Sequence, residues 1–134
     1  KKPNMIPGFN EQTQPLNDYE LTKLTPQLIK GLKKAVGVDN AITAIEIETR
    51  MKEYSFKING ARIRKIVNYI RINNIIPFLM ASQKGYYIET NITKLQLYIK
   101  SLENRAEAIQ FVANTLKKQI ELAHKQTNIF NDEN

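Results

Sequence analysis

The 134-residue chain has no cysteine and a single histidine, His124. Without thiols, and with one imidazole, it cannot build a zinc ribbon, a Cys/His metal cluster, a redox pair or a thiol nucleophile. The missing cysteines leave the compartment undetermined. No run approaches the roughly 18 consecutive apolar residues of a membrane span, and the opening KKPNMIPGFNEQTQP lacks the apolar block of a signal peptide. The expected location is the cytoplasm, although a start at Lys1 rather than Met leaves an upstream signal open. The length and the 42% hydrophobic content suit one globular domain that buries about two thirds of its unfolded surface without covalent staples.

A second absence is local. From Tyr54 to Ile88 there is no Asp or Glu, whereas 13 acids spread evenly over 134 residues would place about 3.4 there. The same stretch carries Lys57, Arg62, Arg64, Lys65, Arg71 and Lys84. Residues 57–105 hold nine basic and two acidic side chains, the whole formal net charge of +7, and the rest of the chain sums to zero. The excess positive charge belongs to the middle third, as a partner that is a polyanion would require. A solvated basic face with no partner is the alternative.

Residues 1–17, with Pro3, Pro7, Gly8 and Pro15 among Asn and Gln, read as an extended or disordered arm. From Asp18 the pattern turns helical: Leu21, Leu24, Leu28, Ile29, Leu32, Ala35 and Val36 recur at three- and four-residue steps, predicting one helix that starts at Thr25 after a short lead-in turn, because Pro26 is tolerated only near a helix start, and that closes at Gly37. Thr43 and Glu46 have the spacing of a capping box and predict a short helix over 44–52. Asn59, a good N-cap, opens a third helix with Ile63, Ile66, Val67 and Ile70 on its core stripe, ending near Asn73 and Asn74. Pro77 forbids helix, and β-prone residues flank Ser82-Gln83-Lys84-Gly85, which predicts a β-hairpin with Gly85 at a positive-φ turn position. From Ile92 to Gln126 there is neither Pro nor Gly, and Leu95, Ile99, Leu102, Ala106, Ile109, Ala113, Leu116, Ile120 and Ala123 step as a heptad seam. The expected fold class is mainly α with a small β-hairpin and a long C-terminal helix; residues 18–90 form the first domain, 91–127 the long helix and 128–134 a tail.

On a helical wheel the third helix sets Ala61, Arg64, Lys65 and Asn68 opposite its core stripe, with Arg62, Tyr69 and Arg71 flanking them. Arg and Lys can donate to guanine O6 and N7, Asn can pair with adenine, and a small Ala permits close approach. These four are the candidate base-reading residues. Lys57, Arg62, Tyr69, Arg71, Ser82, Gln83 and Lys84 are the candidate DNA-backbone contacts, and Gly85 and Tyr86 turn the hairpin. Of Tyr86 and Tyr87, which alternate across the strand, one is expected in the core and the other outward. His124 and Lys125 suit the dipole at a helix C-terminus.

Two short helices joined by a turn and followed by a basic hairpin resemble the winged helix-turn-helix domains, in particular the N-terminal domain of the biotin operon repressor and related phage proteins. The resemblance rests on INGARIRKIVNYIRINN and SQKGYYI, and covers roughly residues 40–90. There a polar N-cap is followed four, eight and eleven positions later by apolar residues, as Asn59 is by Ile63, Val67 and Ile70, and Lys84, Gly85 and Tyr86 match the wing. The segment from Glu53 to Ile58 departs from the family in being longer than its tight turn and in lacking its glycine. The resemblance implies a third helix in the major groove of double-stranded DNA and a wing on phosphate or in the minor groove.

The C-terminal seam has two readings: Leu95 to Leu102 packing on the winged domain with Ile109, Ala113, Leu116 and Ile120 pairing two copies in a homodimer, or packing back on the first helix of the same chain. Two functions follow. One is a non-enzymatic DNA-binding protein, a transcriptional regulator or a replication accessory of phage or mobile-element origin, nucleoid-associated when bound; with about six phosphate contacts its log affinity would fall with log salt at a slope near −5. The other is a protein-interaction adaptor on the same scaffold. No nucleophile with its base, phosphate-binding glycine loop or carboxylate pair stands out, so neither an enzyme nor a cofactor, metal, membrane or small-molecule ligand is expected.

Overall fold

A computed structural model describes the backbone of residues 14–133 and the side chains as far as Gln126. The chain divides into two compact units, Lys1–Ile92 and Thr93–Asn134. In the first, a π-helical turn, Glu20–Leu24, leads into α1, Thr25–Leu32. The chain is helical from Asp18, where the helical pattern of the sequence begins, and α1 itself starts at Thr25 after this lead-in turn, as expected. Asn17 caps this helix: its Oδ1 accepts from the Glu20 N–H at 2.8 Å, and Glu20 Oε1 accepts from the Asn17 N–H at 2.9 Å. The wide turn reconciles the helical lead-in with Pro26. The ring of a proline clashes with the carbonyl four residues back, and a π-turn ahead of it opens that space. Thr25 closes the turn by donating its hydroxyl to Glu20 O at 2.7 Å.

α1 ends at Leu32, not at Gly37. Gly37 sits beyond the last turn at φ 85 and ψ 152, where it opens a short 3-10 turn, Val38–Asn40, instead of closing the helix. α2, Ala44–Glu53, has the expected capping box, with both Thr43–Glu46 bonds formed. Ser55 then takes the left-handed conformation, φ 66, that glycine usually supplies after a helix, and the Phe56 N–H reaches back to Met51 O at 2.9 Å. The longer turn between the helices is thereby folded tightly without its glycine. α3, Gly60–Ile72, begins after Asn59, whose Oδ1 accepts from the Arg62 N–H at 3.0 Å. Asn74, φ 59, closes it in the same manner as Ser55 closes α2.

β1, Leu79–Ser82, and β2, Gly85–Ile88, pair antiparallel, with Leu79 opposite Ile88 and Ser82 opposite Gly85. Gln83 and Lys84 form the two-residue tip. The other edge of β2 is also occupied. Ile42 and Tyr86 exchange N–H···O bonds at 3.0 and 2.8 Å, and Ile88 accepts from Gly37 and donates to Ala35 at 2.9 and 2.7 Å. The segment between α1 and α2 thus holds the hairpin on its far side. Helix, edge strand, helix, helix and hairpin in that order are compatible with a winged-helix layout.

One core binds these pieces. Leu24, Leu28 and Leu32 meet Ile47 and Met51 of α2 and Ile63, Ile66, Val67 and Ile70 of α3, with Ile58, Ile76 and Leu79 closing the ends. Ile63, Ile66 and Ile70 are fully buried; each contributes about 1.5–3 kcal/mol by removal from water. The expected stripe of α3 is therefore its core face, which fixes the direction of the opposite, basic face.

α4, Ile92–Glu133, is a single 42-residue helix that fills the second unit. It runs through residues 128–133, expected as a tail, because no Gly or Pro interrupts it. Its side chains at Ile99, Leu102, Ile109, Leu116 and Ile120 are exposed. No helix among the described residues is long and apolar enough to cross a membrane.

Candidate nucleic-acid interface

The burial of Ile63, Ile66, Val67 and Ile70 turns the other side of α3 outward. Arg64 and Asn68 are exposed there and Ala61 and Lys65 are half-exposed. These four side chains line one shallow depression of about 260 Å³, so the structure brings together the residues grouped on the helical wheel. Among the described residues no hydrogen bond or ion pair occupies the side chains of Arg64, Lys65 or Asn68. At the first turn of α3, a Cβ on Gly60 would stand in ordinary contact, 3.7 Å from the Arg64 guanidinium and 3.9 Å from the Glu48 carboxylate.

Two cations expected to contact DNA are engaged within the fold. Arg62 donates from Nε to Glu20 Oε2 and from Nη2 to Glu20 Oε1, both at 2.6 Å, and its remaining reach goes to the Gln14 and Pro15 carbonyls at 2.9 and 3.0 Å. Its side chain is only 11% exposed. A planar guanidinium satisfied on this many sides is not a phosphate ligand. Its bonds also tie down Gln14 and Pro15, part of the stretch expected as an extended or disordered arm; residues 1–13 lie outside the described residues. Arg71 donates from Nε to Leu79 O at 2.9 Å and so joins the end of α3 to the start of β1. Tyr69 is half-buried against the core.

The Arg62 hydrogen bonds hold the Glu20 carboxyl below its ordinary 4.5; burial works against this, and the Asn17 N–H and the Arg62 charge add to it. Glu20 thus caps a helix and neutralises a guanidinium from another one with a single carboxylate.

The hairpin tip presents Ser82, Gln83 and Lys84 to solvent. Ser82 Oγ shapes the turn from inside, donating to Gly85 O at 3.0 Å and accepting from the Lys84 N–H at 3.2 Å. Gly85 stands at φ 120, and a Cβ there would lie 2.5 Å from Ile42 O. It is required by the edge strand behind it as much as by the turn. Tyr86 packs against the core. Burial raises its hydroxyl above 10.0, while the charges of Arg64 and Arg71 pull it down. Lys57 is exposed, and its N–H donates to the Tyr19 hydroxyl at 3.1 Å, so the turn between α2 and α3 is fastened to the first helix.

Counting charge along the chain hid a further basic group. Lys30, Lys34 and Arg50 border a groove of about 290 Å³ between α1 and α2, though residues 30–50 carry a net charge of only +1. Helical spacing of 30 and 34 was the available signal for the first two; Arg50 joins them only through the packing of α2. In the long helix, Ile109, Leu116 and Ile120 are exposed and Ala113 half-buried along one stripe. The chain matches no protein-family model, and no curated protein or solved structure matches it.

Proposed function

We propose that the chain is a non-enzymatic, sequence-reading double-stranded DNA-binding protein of winged helix-turn-helix type, a cytoplasmic transcriptional regulator or a replication accessory of a phage or mobile element. α3 enters the major groove with Arg64, Lys65 and Asn68 towards base edges and Ala61 at closest approach. The tip residues Gln83 and Lys84, with Lys57, meet the phosphate backbone. The observation that carries this reading is the outward face of α3: two cations and an amide around one depression, unengaged among the described residues, in a stretch without a single acid. Such side chains are those that discriminate guanine and adenine in the major groove. The bonds between Ile42 and Tyr86 add support, since they hold the wing root in a fixed position behind that helix.

Selection by the full chain from a pool of randomised duplexes tests the reading. An enriched motif of a few base pairs is the expected result, and its enrichment disappears for Arg64→Ala combined with Asn68→Ala. Binding without any enriched motif would overturn base reading and leave a non-specific polyanion binder. A second reading, the protein-interaction adaptor, is favoured by the exposed apolar stripe of α4. It requires a protein partner captured through α4 and no affinity for duplex at low salt.

A further inference from the structure

We infer that α4 pairs with α4 of a second copy of this chain as an antiparallel, two-fold symmetric coiled coil centred at residue 111. The inference stands independently of the DNA reading. Its starting point is the seam of exposed apolar residues along α4, of which Ile109 is 71% and Ile120 62% exposed. In heptad terms Ile99, Ala106, Ala113 and Ile120 occupy a, and Leu102, Ile109, Leu116 and Ala123 occupy d.

The placement of the alanines decides the direction. In a parallel, in-register pair, Ala106, Ala113 and Ala123 would each face their own copy, leaving three layers with too little volume between layers of Ile and Leu. In an antiparallel pair centred at 111, Ile99 faces the partner's Ala123, Leu102 the partner's Ile120, Ala106 the partner's Leu116 and Ile109 the partner's Ala113. Every alanine then meets a large side chain, and the layers fill evenly.

Charge agrees. At the flanking e positions the antiparallel register sets Glu103 beside the partner's Lys117, twice by symmetry, and at the g positions Val112 meets the partner's Val112 across the axis. The parallel register sets Val112 against the partner's Lys117 and Arg105 against the partner's Gln110, with no opposite charges together. Phe111 lies at f, on the outer side, and this pairing leaves it exposed.

The cysteine-free chain makes the test clean, because one introduced cysteine carries one spin label. The full-length protein is predicted to sediment at twice its 15.5 kDa in the absence of DNA. Labels at Phe111→Cys sit level with each other, whereas labels at Lys125→Cys, 14 residues from the centre, lie about 42 Å apart along the axis at 1.5 Å per residue. Reversing one charge, Glu103→Lys or Lys117→Glu, weakens the dimer about tenfold through two symmetric pairs. Combining both reversals restores it. A monomer at every concentration, or a mass above the dimer, would overturn the inference, as would equal label separations at 111 and 125, which mark a parallel pair.

Discussion

Arg62 and Glu20, 42 positions apart in sequence, meet through two hydrogen bonds of 2.6 Å with both side chains almost wholly withdrawn from solvent. The pair locks the start of α3 to the first helix and holds residues 14–17 against both. One basic residue of the acid-free stretch is thereby a fastening of the fold and not part of its binding face. Arg62→Ala would leave a buried carboxylate without its partner, which costs about 3–5 kcal/mol. Chemical denaturation should register a loss of this size, while duplex affinity per folded molecule stays unchanged. A variant of normal stability that binds duplex many-fold more weakly would return Arg62 to the DNA contacts.

The same pair sets an acid limit to stability. Glu20 titrates below 4.5 in the folded protein because Arg62 favours its charged form. A depressed folded value means that the stabilisation is complete above the unfolded value and is lost as pH falls through the lower, folded one. Thermal melts from pH 6 down to pH 2 should therefore show a loss beginning near pH 4.5 and deepening below it. Glu20→Gln, less stable at neutral pH, should lose much less over that range. Parallel curves for the two proteins would show that the pair contributes nothing there.

Gly85 and Gly37 both have positive φ but differ in what stands beside them. A Cβ on Gly85 would meet backbone atoms of Ile42 and Thr43 at 2.5 to 2.9 Å, whereas nothing lies within 4 Å of one on Gly37. Gly37→Ala should cost only the conformational strain, about 1 kcal/mol. Gly85→Ala adds a backbone clash to that strain and should cost about 3 kcal/mol. Hydrogen exchange at the Ile42 and Tyr86 amides should accelerate in Gly85→Ala and not in Gly37→Ala. Equal losses in the two variants would mean that the contact with Ile42 is soft.

Under the proposed function, the hairpin tip and α3 should separate in their mutational behaviour. Lys84→Ala removes a phosphate contact and should weaken all sequences alike. Arg64→Ala and Asn68→Ala each remove base discrimination of about 1–3 kcal/mol at particular positions of the selected site, with little effect on random duplex. Competition titrations with single-base variants of that site distinguish the two patterns. Equal losses on every sequence for all three would remove base reading from α3.

The parts of this fold that were legible in the sequence are those written in local chemistry. Thr43 with Glu46 placed α2, and Asn59 with its apolar stripe placed α3 nearly to the residue, because caps act within one turn. Pro77 and the Ser82–Gly85 tetrad placed the hairpin. Pro26 placed the start of α1 at Thr25 with a lead-in turn before it; that this turn is π-helical has no local signature, although Asn17 and Glu20 have capping-box spacing. Single-residue bridges at Val36 and Ile42 leave no alternation to detect. The shared outward face of Ala61, Arg64, Lys65 and Asn68 followed from the wheel, since a helix has one face opposite its core. Backbone contacts did not: whether Arg62 and Arg71 turn inward depends on acceptors at residues 14–20 and at Leu79, and no local pattern encodes that.

This bears on the central claim quantitatively. With Arg62 and Arg71 engaged in the fold, and Arg64 and Lys65 assigned to base edges in the proposed reading, Lys57 and Lys84 remain for phosphates. Fluorescence anisotropy of the full chain on mixed-sequence duplex across a salt series counts them. Two contacts predict that log affinity falls with log salt at a slope of about −2, not the −5 expected from the sequence. A slope near zero, or no binding at low salt, would contradict the account and make the outward face of α3 a solvated surface.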